Sequence, residues 1–216
     1  MTAAKRDPHP SPYKRNRKTV GLFIDWIGTP YHLGIVSGLS DYCSAHDFNF
    51  LCFVTGRLHS TLESEKCRNI FFDFVSGYNL DGLVIAASSI ANLAGTDALW
   101  EVIKDYTYLP IVTMGESYKD ITSVSIDNEQ GVRYLVKHLV EDHGYKRFAF
   151  VKGMPGNRDA EMRFSAFEKI LQEYKLTLPA ELVMEGDFRI DSGKKAAQRL
   201  LAMDQVTIDA VVCAND

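Results

Sequence analysis

The chain alternates between short apolar segments and longer segments whose apolar residues recur at helical spacing. The short segments are rich in Val, Ile and Phe and are bounded by Gly, Pro, Asn or Asp, which is typical of β-strands. The pattern predicts strands over residues 19–25, 48–54, 82–86, 110–114, 123–127, 147–152, 181–185 and 209–214.

Most of the intervening segments have the spacing of amphipathic helices. The clearest is 129–142, where apolar side chains recur at i, i+3, i+4, i+7 and i+8 starting from Val132. The pair Asp127-Asn128 precedes this segment as good N-cap chemistry, and Gly144 follows it as a stop signal. Further helices are predicted over 31–46, 159–174 and 192–203.

Apolar strands that alternate with helices predict an α/β fold in which parallel sheets are covered by helices on both faces. In such sheets, ligands bind beyond the carboxyl ends of the strands. The residues that follow the predicted strands are polar, aromatic or glycine, which suits a small-molecule site. They are residues 25–26, 55–56, 87–89, 115–116, 127–128, 153–158, 187–189 and 215–216.

Composition narrows the class of protein. Hydrophobic residues make up 46% and charged residues 24%, as in ordinary globular domains. No apolar run approaches the roughly 20 residues that span a bilayer, and no signal peptide is recognisable. The four cysteines lack CxxC spacing, so we expect reduced thiols, no metal site, no cofactor and a cytoplasmic location. They are Cys43, Cys52, Cys67 and Cys213.

The net charge of −4 conceals an uneven distribution. Residues 1–18 carry a net charge of +5 and three prolines, whereas the remaining 198 residues carry −9. A charged, proline-rich segment without apolar periodicity predicts a disordered leader. A solvated leader or linker is favoured over a nucleic-acid-binding arm. Separately, the acidic charge of the remaining residues argues against nucleic acid held by the folded part.

Recognised catalytic motifs are missing from the sequence: there is no Walker loop, GxGxxG, GxSxG, HExxH or EF-hand loop. The segment GMPGN (153–157) could cradle an anion, although an ordinary β–α turn is favoured. Asp25 could act as an acid or base, but the sequence assigns it no ionisable partner. A doubly wound α/β enzyme acting on a nucleotide or sugar phosphate remains the alternative, and a receiver-like phosphoacceptor domain is less favoured.

Two further side chains stand out by chemistry and position. Arg163 lies in the first turns of the 159–174 helix and off its apolar stripe, where its guanidinium would face ligand oxygens. Phe188 follows the 181–185 strand, where its ring could stack on a sugar or a base. The alternatives are an exposed helix arginine and a capping hydrophobe.

Several segments, taken in order, resemble the effector-binding core of LacI/GalR-type regulators. They are DGLVIA, LPIVTMG, VSIDNEQGVRYLVKHLVEDHGYKRFAFVKG, RFSAFEKIL, EGDFRIDSGKKAAQRLL and DAVVCAND. The resemblance covers about residues 19–216 and implies a periplasmic-binding-protein-like I fold, with two Rossmann-like lobes and a ligand in the cleft between them. It implies an N-terminal lobe over 19–126 and a partial, incomplete C-terminal lobe over 127–216, after the leader 1–18.

The resemblance also implies which residues contact the ligand. Arg163 matches the ligand-binding arginine of the family, Asn215 a polar contact, and Phe188 the aromatic residue that stacks on the ligand. Asp159 stands at a position that often carries a small polar contact. Trp26 and Tyr31 would form the wall after the first strand, next to Asp25. Two positions depart from the family pattern: Ala166 replaces a glycine, and Gly115 stands where some sugar-binding members carry an acid.

The function implied by the resemblance is ligand sensing without catalysis, for transcriptional or signalling output. A small polar ligand such as a sugar or nucleoside would shift lobe closure in a homodimer. Only about 18 residues precede the core, too few for a three-helix DNA reader. DNA contact would therefore need a helix-turn-helix that this chain does not contain, and the chain is expected to be truncated at its C-terminus. The start of the chain also resembles sensor domains fused to diguanylate cyclases or kinases.

Overall fold

The computed structural model describes residues 17–75, 79–203 and 207–215. These residues form two compact units, which divide between Ser125 and Ile126. The predicted leader falls mostly on residues 1–16, which lie outside the described residues. Arg17 is described, and its guanidinium contacts the carboxylate of Asp47 at 2.8 Å. That the chain forms two lobes, divided between residues 126 and 127, stays a prediction.

The first unit contains a five-stranded parallel sheet in the order β2-β1-β3-β4-β5. Its strands are β1 (Thr19–Ile24), β2 (Asn49–Val54), β3 (Gly82–Ile85), β4 (Ile111–Met114) and β5 (Thr122–Val124). Its α-helices are α1 (Pro30–Ala45), α2 (Glu63–Lys66), α3 (Ala87–Ile90) and α4 (Thr96–Ile103), and 3-10 helices cover Cys67–Phe74 and Lys104–Tyr106.

Strand β1 is buried on both of its faces. Leu22 and Ile24 pack in a cluster that includes side chains of α1, such as Leu39. Phe23 points to the opposite cluster, where it makes edge-on contacts with Phe72 at a centroid distance of 5.0 Å. Alternate side chains therefore enter two separate cores, which explains why this strand is apolar at almost every position.

The second unit contains a three-stranded parallel sheet in the order β7-β6-β8. Its strands are β6 (Phe148–Val151), β7 (Val183–Met184) and β8 (Ala210–Cys213). Its helices are α5 (Asn128–Glu141), α6 (Arg158–Glu173) and α7 (Ile190–Leu201), with a 3-10 helix over Ala180–Leu182. Phe148 and Phe150 of β6 pack against Phe167 of α6 on one face, and Ala149 joins a second cluster on the other.

The predicted α/β class with parallel, helix-covered sheets is confirmed. Each predicted strand occurs, although 181–185 is reduced to Val183–Met184 because the chain before it forms a 3-10 turn. The short helices α2 and α3 span four residues each, about one turn, which is too short to show helical periodicity in the sequence. Across the described residues, no helix is both long enough and apolar enough to cross a membrane.

The turn after β6 is shaped by a contact between a glycine and an aromatic ring. Phe188 has a φ of +65°, and its partly buried ring lies directly over Gly153. A Cβ atom added at Gly153 would overlap this ring and would also lie 2.7 Å from Cβ of Ala160. Glycine at position 153 is therefore what allows the ring to reach the carboxyl end of β6.

We expect Gly153→Ala to lower the free energy of unfolding by about 1–3 kcal/mol, because the added methyl overpacks the ring of Phe188. Denaturant unfolding of the two proteins measures the difference. Gly193→Ala is the matched control, because a Cβ atom at this exposed position in α7 meets no atom within 4 Å. The control is expected to be neutral or stabilising by about 0.5–1 kcal/mol. Equal effects at the two positions would contradict the overpacking account.

Candidate functional site

In the second unit, the side chain of Asn128 joins two oppositely charged groups. Its Nδ2 donates a hydrogen bond to Oδ1 of Asp159 at 2.7 Å, and its Oδ1 accepts one from Nε of Arg163 at 2.7 Å. Asn128 is only 3% exposed. Because a buried polar group is costly to leave unpaired, both contacts are held firmly in place.

Two helix caps place these three residues. The Asp127 side chain accepts a hydrogen bond from the backbone N–H of Gln130 at 2.9 Å, which starts α5 at Asn128. The Asn157 side chain likewise accepts from the N–H of Ala160 at 2.9 Å and starts α6 at the next residue. Asp159 and Arg163 lie four positions apart on α6, so they occupy successive turns of the same helix face.

Arg163 also connects α6 to the end of β8. Its Nη1 donates to the backbone carbonyl of Ala214 at 2.5 Å. The residue after Ala214 is Asn215, which is exposed. Within the described residues Nη2 of Arg163 has no hydrogen-bond partner. Thus Asp159, Arg163 and the backbone next to Asn215 come together at the carboxyl edge of the sheet.

Phe188 lies at the same edge through its contact with Gly153, the second residue after β6. The sequence placed Asn128 among the polar residues after a strand and, together with Asp127, as N-cap chemistry, but gave it no part in ligand contact. One signal could have identified Asn128: it directly follows an N-cap aspartate. The first turn of a helix that follows a strand lies at the carboxyl edge of the sheet, where ligands bind. We name Asn128, Asp159, Arg163 and the carbonyl of Ala214 the Asn128 cluster.

In the first unit, Asp25 follows β1 and has a histidine partner. Asp25 is 8% exposed, and its Oδ1 lies 3.3 Å from Nε2 of His32. The approach is not aligned as a hydrogen bond, and neither atom has another partner among the described residues. Nδ1 of His32 lies 2.6 Å from the hydroxyl of Thr29, which also accepts from the backbone N–H of His32. That hydroxyl can donate to Nδ1, which leaves the proton on Nε2, the ring nitrogen nearer to Asp25.

The pKa of Asp25 reflects opposing effects. Burial alone would raise it, but interactions with the side chains of His32 and Ser89 outweigh burial and leave the pKa below its usual value. Asp25 is therefore held as a carboxylate. His32 is the ionisable partner that the sequence could not assign, because the contact depends on how α1 packs after its cap.

Trp26 and Tyr31 present aromatic surface next to Asp25. Trp26 is 48% exposed, and the guanidinium of Arg68 lies 5.7 Å from its ring centroid. Tyr31 is 56% exposed and meets the His32 ring edge-on at 5.3 Å. The structure thus brings all three predicted residues of this unit to the end of β1 and the start of α1.

The backbone explains why Gly115 carries no acid. Its φ is +86°, and a Cβ atom there would overlap the side chain of Ser88. An acidic side chain at this position would therefore be both conformationally strained and sterically blocked. The next residue, Glu116, is an acid and is 8% exposed.

In the GMPGN segment, the two amides next to the start of α6 already have partners within the chain. The N–H of Gly156 donates to Oε1 of Glu161 at 3.1 Å, and that of Asn157 donates to the carbonyl of Met154 at 3.1 Å. Asn157 itself occupies the cap. These contacts favour an ordinary β–α turn over an anion cradle.

Comparison with known proteins identifies the family. A family profile described as periplasmic binding proteins and sugar binding domain of the LacI family matches residues 17–216. The transcriptional repressor PurR of Erwinia tasmaniensis is 27% identical over 201 residues, covering 92% of this chain and 55% of the repressor. PurR of Haemophilus influenzae is 27% identical over 200 residues, covering 92% and 56%. The chain spans about half the length of these repressors.

Solved structures give the same result. The complex of the transcriptional regulator CelR with cellobiose has a TM-score of 0.70 at 27% identity, covering 92% of this chain and 59% of that one. The lac repressor dimer bound to operator and the anti-inducer ONPF has a TM-score of 0.71 at 21% identity, covering 94% and 66%, and this similarity shows the fold alone. The chain belongs to the family of periplasmic binding proteins and LacI-type sugar-binding domains.

Proposed function

We propose that this chain is the effector-binding core of a LacI/PurR-type transcriptional regulator, and that it senses a small polar molecule without catalysis. The observation that carries the proposal is the Asn128 cluster, a partly buried hydrogen-bond network at the strand edge where ligands bind in parallel α/β sheets. Its relatives support this reading, since two of them are transcriptional repressors and a third was solved with cellobiose.

We propose candidate ligand contacts in each unit separately. In the second unit, Asp159, Arg163 and Asn215 offer an acceptor, a charged donor and an amide, and Phe188 offers a ring. In the first unit, Asp25 offers a carboxylate, and two exposed aromatic residues, Trp26 and Tyr31, offer flat surface. Side chains of these kinds suit a polyhydroxylated ring or a nucleoside, because hydroxyl groups need both donors and acceptors and the rings can stack.

Ligand binding is proposed to shift a conformational equilibrium. A ligand changes the populations of two states only to the extent that it binds one of them more tightly. The expected lobe closure stays a prediction. The acidic charge after residue 18 argues against DNA held by this part of the regulator, so DNA contact would come from a separate DNA-binding domain. A cytoplasmic location follows from a role in transcription.

Arg163→Ala is expected to abolish ligand-induced thermal stabilisation. The change removes a charge-assisted donor worth about 1.5–3 kcal/mol, or roughly 10- to 150-fold in affinity. Differential scanning fluorimetry with mono- and disaccharides, including cellobiose, and with nucleosides measures the effect. Arg163→Lys should retain little binding, because an ammonium cannot replace the guanidinium fork.

Lys169→Ala, at an exposed position on the same helix, is the matched control and should respond like the parent. Undiminished stabilisation of Arg163→Ala would remove Arg163 from the site. A parent that none of these compounds stabilises would count against the proposed ligand class. Recovery of a bound ligand in altered chemical form would favour the enzyme alternative.

Asn128→Asp is expected to destabilise the protein more at neutral pH than at acidic pH. The new carboxylate would replace the donor to Asp159, so two carboxylates would lie side by side and repel each other once both are ionised, which the single guanidinium of Arg163 offsets only in part. The penalty is therefore absent while the pair is protonated and grows as rising pH ionises both carboxyl groups. Thermal unfolding at several pH values measures it. Gln130→Glu adds a similar charge at an exposed position of α5 and should show no such trend.

We further propose a homodimer that uses the outer face of α1. This face carries the exposed Tyr42 and two exposed glycines, Gly34 and Gly38, spaced four residues apart. A Cβ atom added at either glycine meets no atom within 4 Å, so a second helix could approach closely. The lac repressor, which shares this fold, was solved as a dimer.

Gly38→Glu is expected to convert the dimer into a monomer, because it places a charge in the proposed contact. Light scattering after size-exclusion chromatography gives the mass of each protein. Gly193→Glu introduces the same change at an exposed helical glycine of the second unit, where added atoms also meet open space, and should remain dimeric. Equal masses for the two variants would exclude this face as the interface.

A further inference from the structure

Two exposed histidines converge at the end of α5. His138 lies in the last turn of the helix, and His143 lies in the turn that follows. Their Nε2 atoms are 3.1 Å apart, and their ring planes are perpendicular. The ring of His143 also stacks on Tyr145 at a centroid distance of 5.3 Å, so it contacts both His138 and Tyr145.

The tautomer of His138 is set by a neighbouring carboxylate. Nδ1 of His138 lies 2.7 Å from Oδ2 of Asp142, four residues later on the same side of the helix end. The carboxylate holds the proton on Nδ1, so Nε2 of a neutral His138 carries a lone pair directed at His143. Metal-ligating histidines usually donate the N–H of their other ring nitrogen to a carboxylate in this way.

The distance between the two nitrogens suits a shared metal ion. With metal–nitrogen distances of about 2.0–2.1 Å, neighbouring ligands of a square or tetrahedral centre lie about 2.9–3.4 Å apart. The observed 3.1 Å falls within this range. Binding would require His143 to move its proton from Nε2 to Nδ1, a change of tautomer, so that both Nε2 lone pairs face the ion.

We propose that His138 and His143 form a binding site for a divalent transition-metal ion, with Asp142 as the positioning residue of His138. Two imidazoles favour Cu²⁺, Ni²⁺ or Zn²⁺ over Mg²⁺ or Ca²⁺, which prefer oxygen ligands. The described residues contain no group of three or more His, Cys, Asp or Glu side chains placed to hold a metal. Water therefore completes the coordination, and the site is an exchangeable surface site.

The surroundings of His143 leave room for such ligands and do not suit an anion. His143 lines an open cavity of about 540 Å³ together with Lys146, Arg147 and Asp209. The backbone N–H groups of Lys146 and Arg147 already donate to Oδ2 of Asp209, each at 2.9 Å. The Arg147 side chain also donates to Asp209, at 2.7 Å. The carboxylate of Asp209 thus already accepts the hydrogen bonds that a bound anion would need.

A bound ion would join the end of α5 to the turn before β6. This role is separate from the proposed effector site, which uses other residues of the unit. Metal binding can therefore fail or succeed without any consequence for the sensor proposal.

Isothermal titration of the full chain with Cu²⁺, Ni²⁺ and Zn²⁺ tests the proposal, with imidazole resonances followed by NMR. We expect one ion per chain whose affinity falls at least about tenfold in His138→Gln and in His143→Gln, and by about 10- to 100-fold in Asp142→Ala. Affinity should be highest for Cu²⁺, and Mg²⁺ should give no binding.

His46→Gln is the matched control, because this exposed histidine stacks on Tyr42 in the first unit and has no role in the proposed site. It should bind metal like the parent. Circular dichroism confirms that the variants, all at exposed positions, remain folded. Unchanged affinity in the double variant His138→Gln/His143→Gln, or no binding to the parent, would overturn the proposal.

Discussion

The buried amide of Asn128 binds two charged groups, a carboxylate and a guanidinium, that are costly to bury without a hydrogen-bond partner. An isolated carboxylate or guanidinium is costly to remove from water, and the cost falls when each is hydrogen-bonded. One amide does this for both groups, because it donates to Asp159 and accepts from Arg163 at the same time. The arrangement fixes the guanidinium against α5 and the end of β8, and it leaves one of its nitrogens without a partner among the described residues. A donor positioned in this way loses little entropy when a ligand binds.

The sequence predicted the framework well because the framework depends on local signals. Strand β1, for example, is visible as a run of apolar residues, and α5 is visible from the spacing that starts at Val132 and from the cap at Asp127. Strand β7 was predicted too long, because the 3-10 turn before it competes with extended structure at residues that are individually compatible with a strand.

The contacts within the site were beyond the reach of the sequence. Asn128 is 31 residues from Asp159 and 35 from Arg163, so no periodicity connects them. His32 is only seven positions from Asp25, yet their contact depends on the turn that precedes α1 and on the Thr29 cap. Residue type and strand position indicated where polar groups gather; the hydrogen bonds that orient them depend on tertiary packing.

The electrostatics at the carboxyl ends of the two sheets are consistent with the proposed role in ligand sensing. A general acid or base works best when its pKa is close to the working pH, which usually requires a buried acid with a raised pKa. Asp25 is buried, yet its pKa is lowered, because the interactions with His32 and Ser89 outweigh burial. It therefore remains a carboxylate at neutral pH and is a poor proton donor or acceptor there. Asp159 and Arg163 share the amide of Asn128, so their charges are compensated within the protein rather than set against a reacting group. A fixed carboxylate and a guanidinium held by an amide can orient hydroxyl groups, and exposed aromatic rings can stack on a ring, which suits the proposed role in ligand sensing.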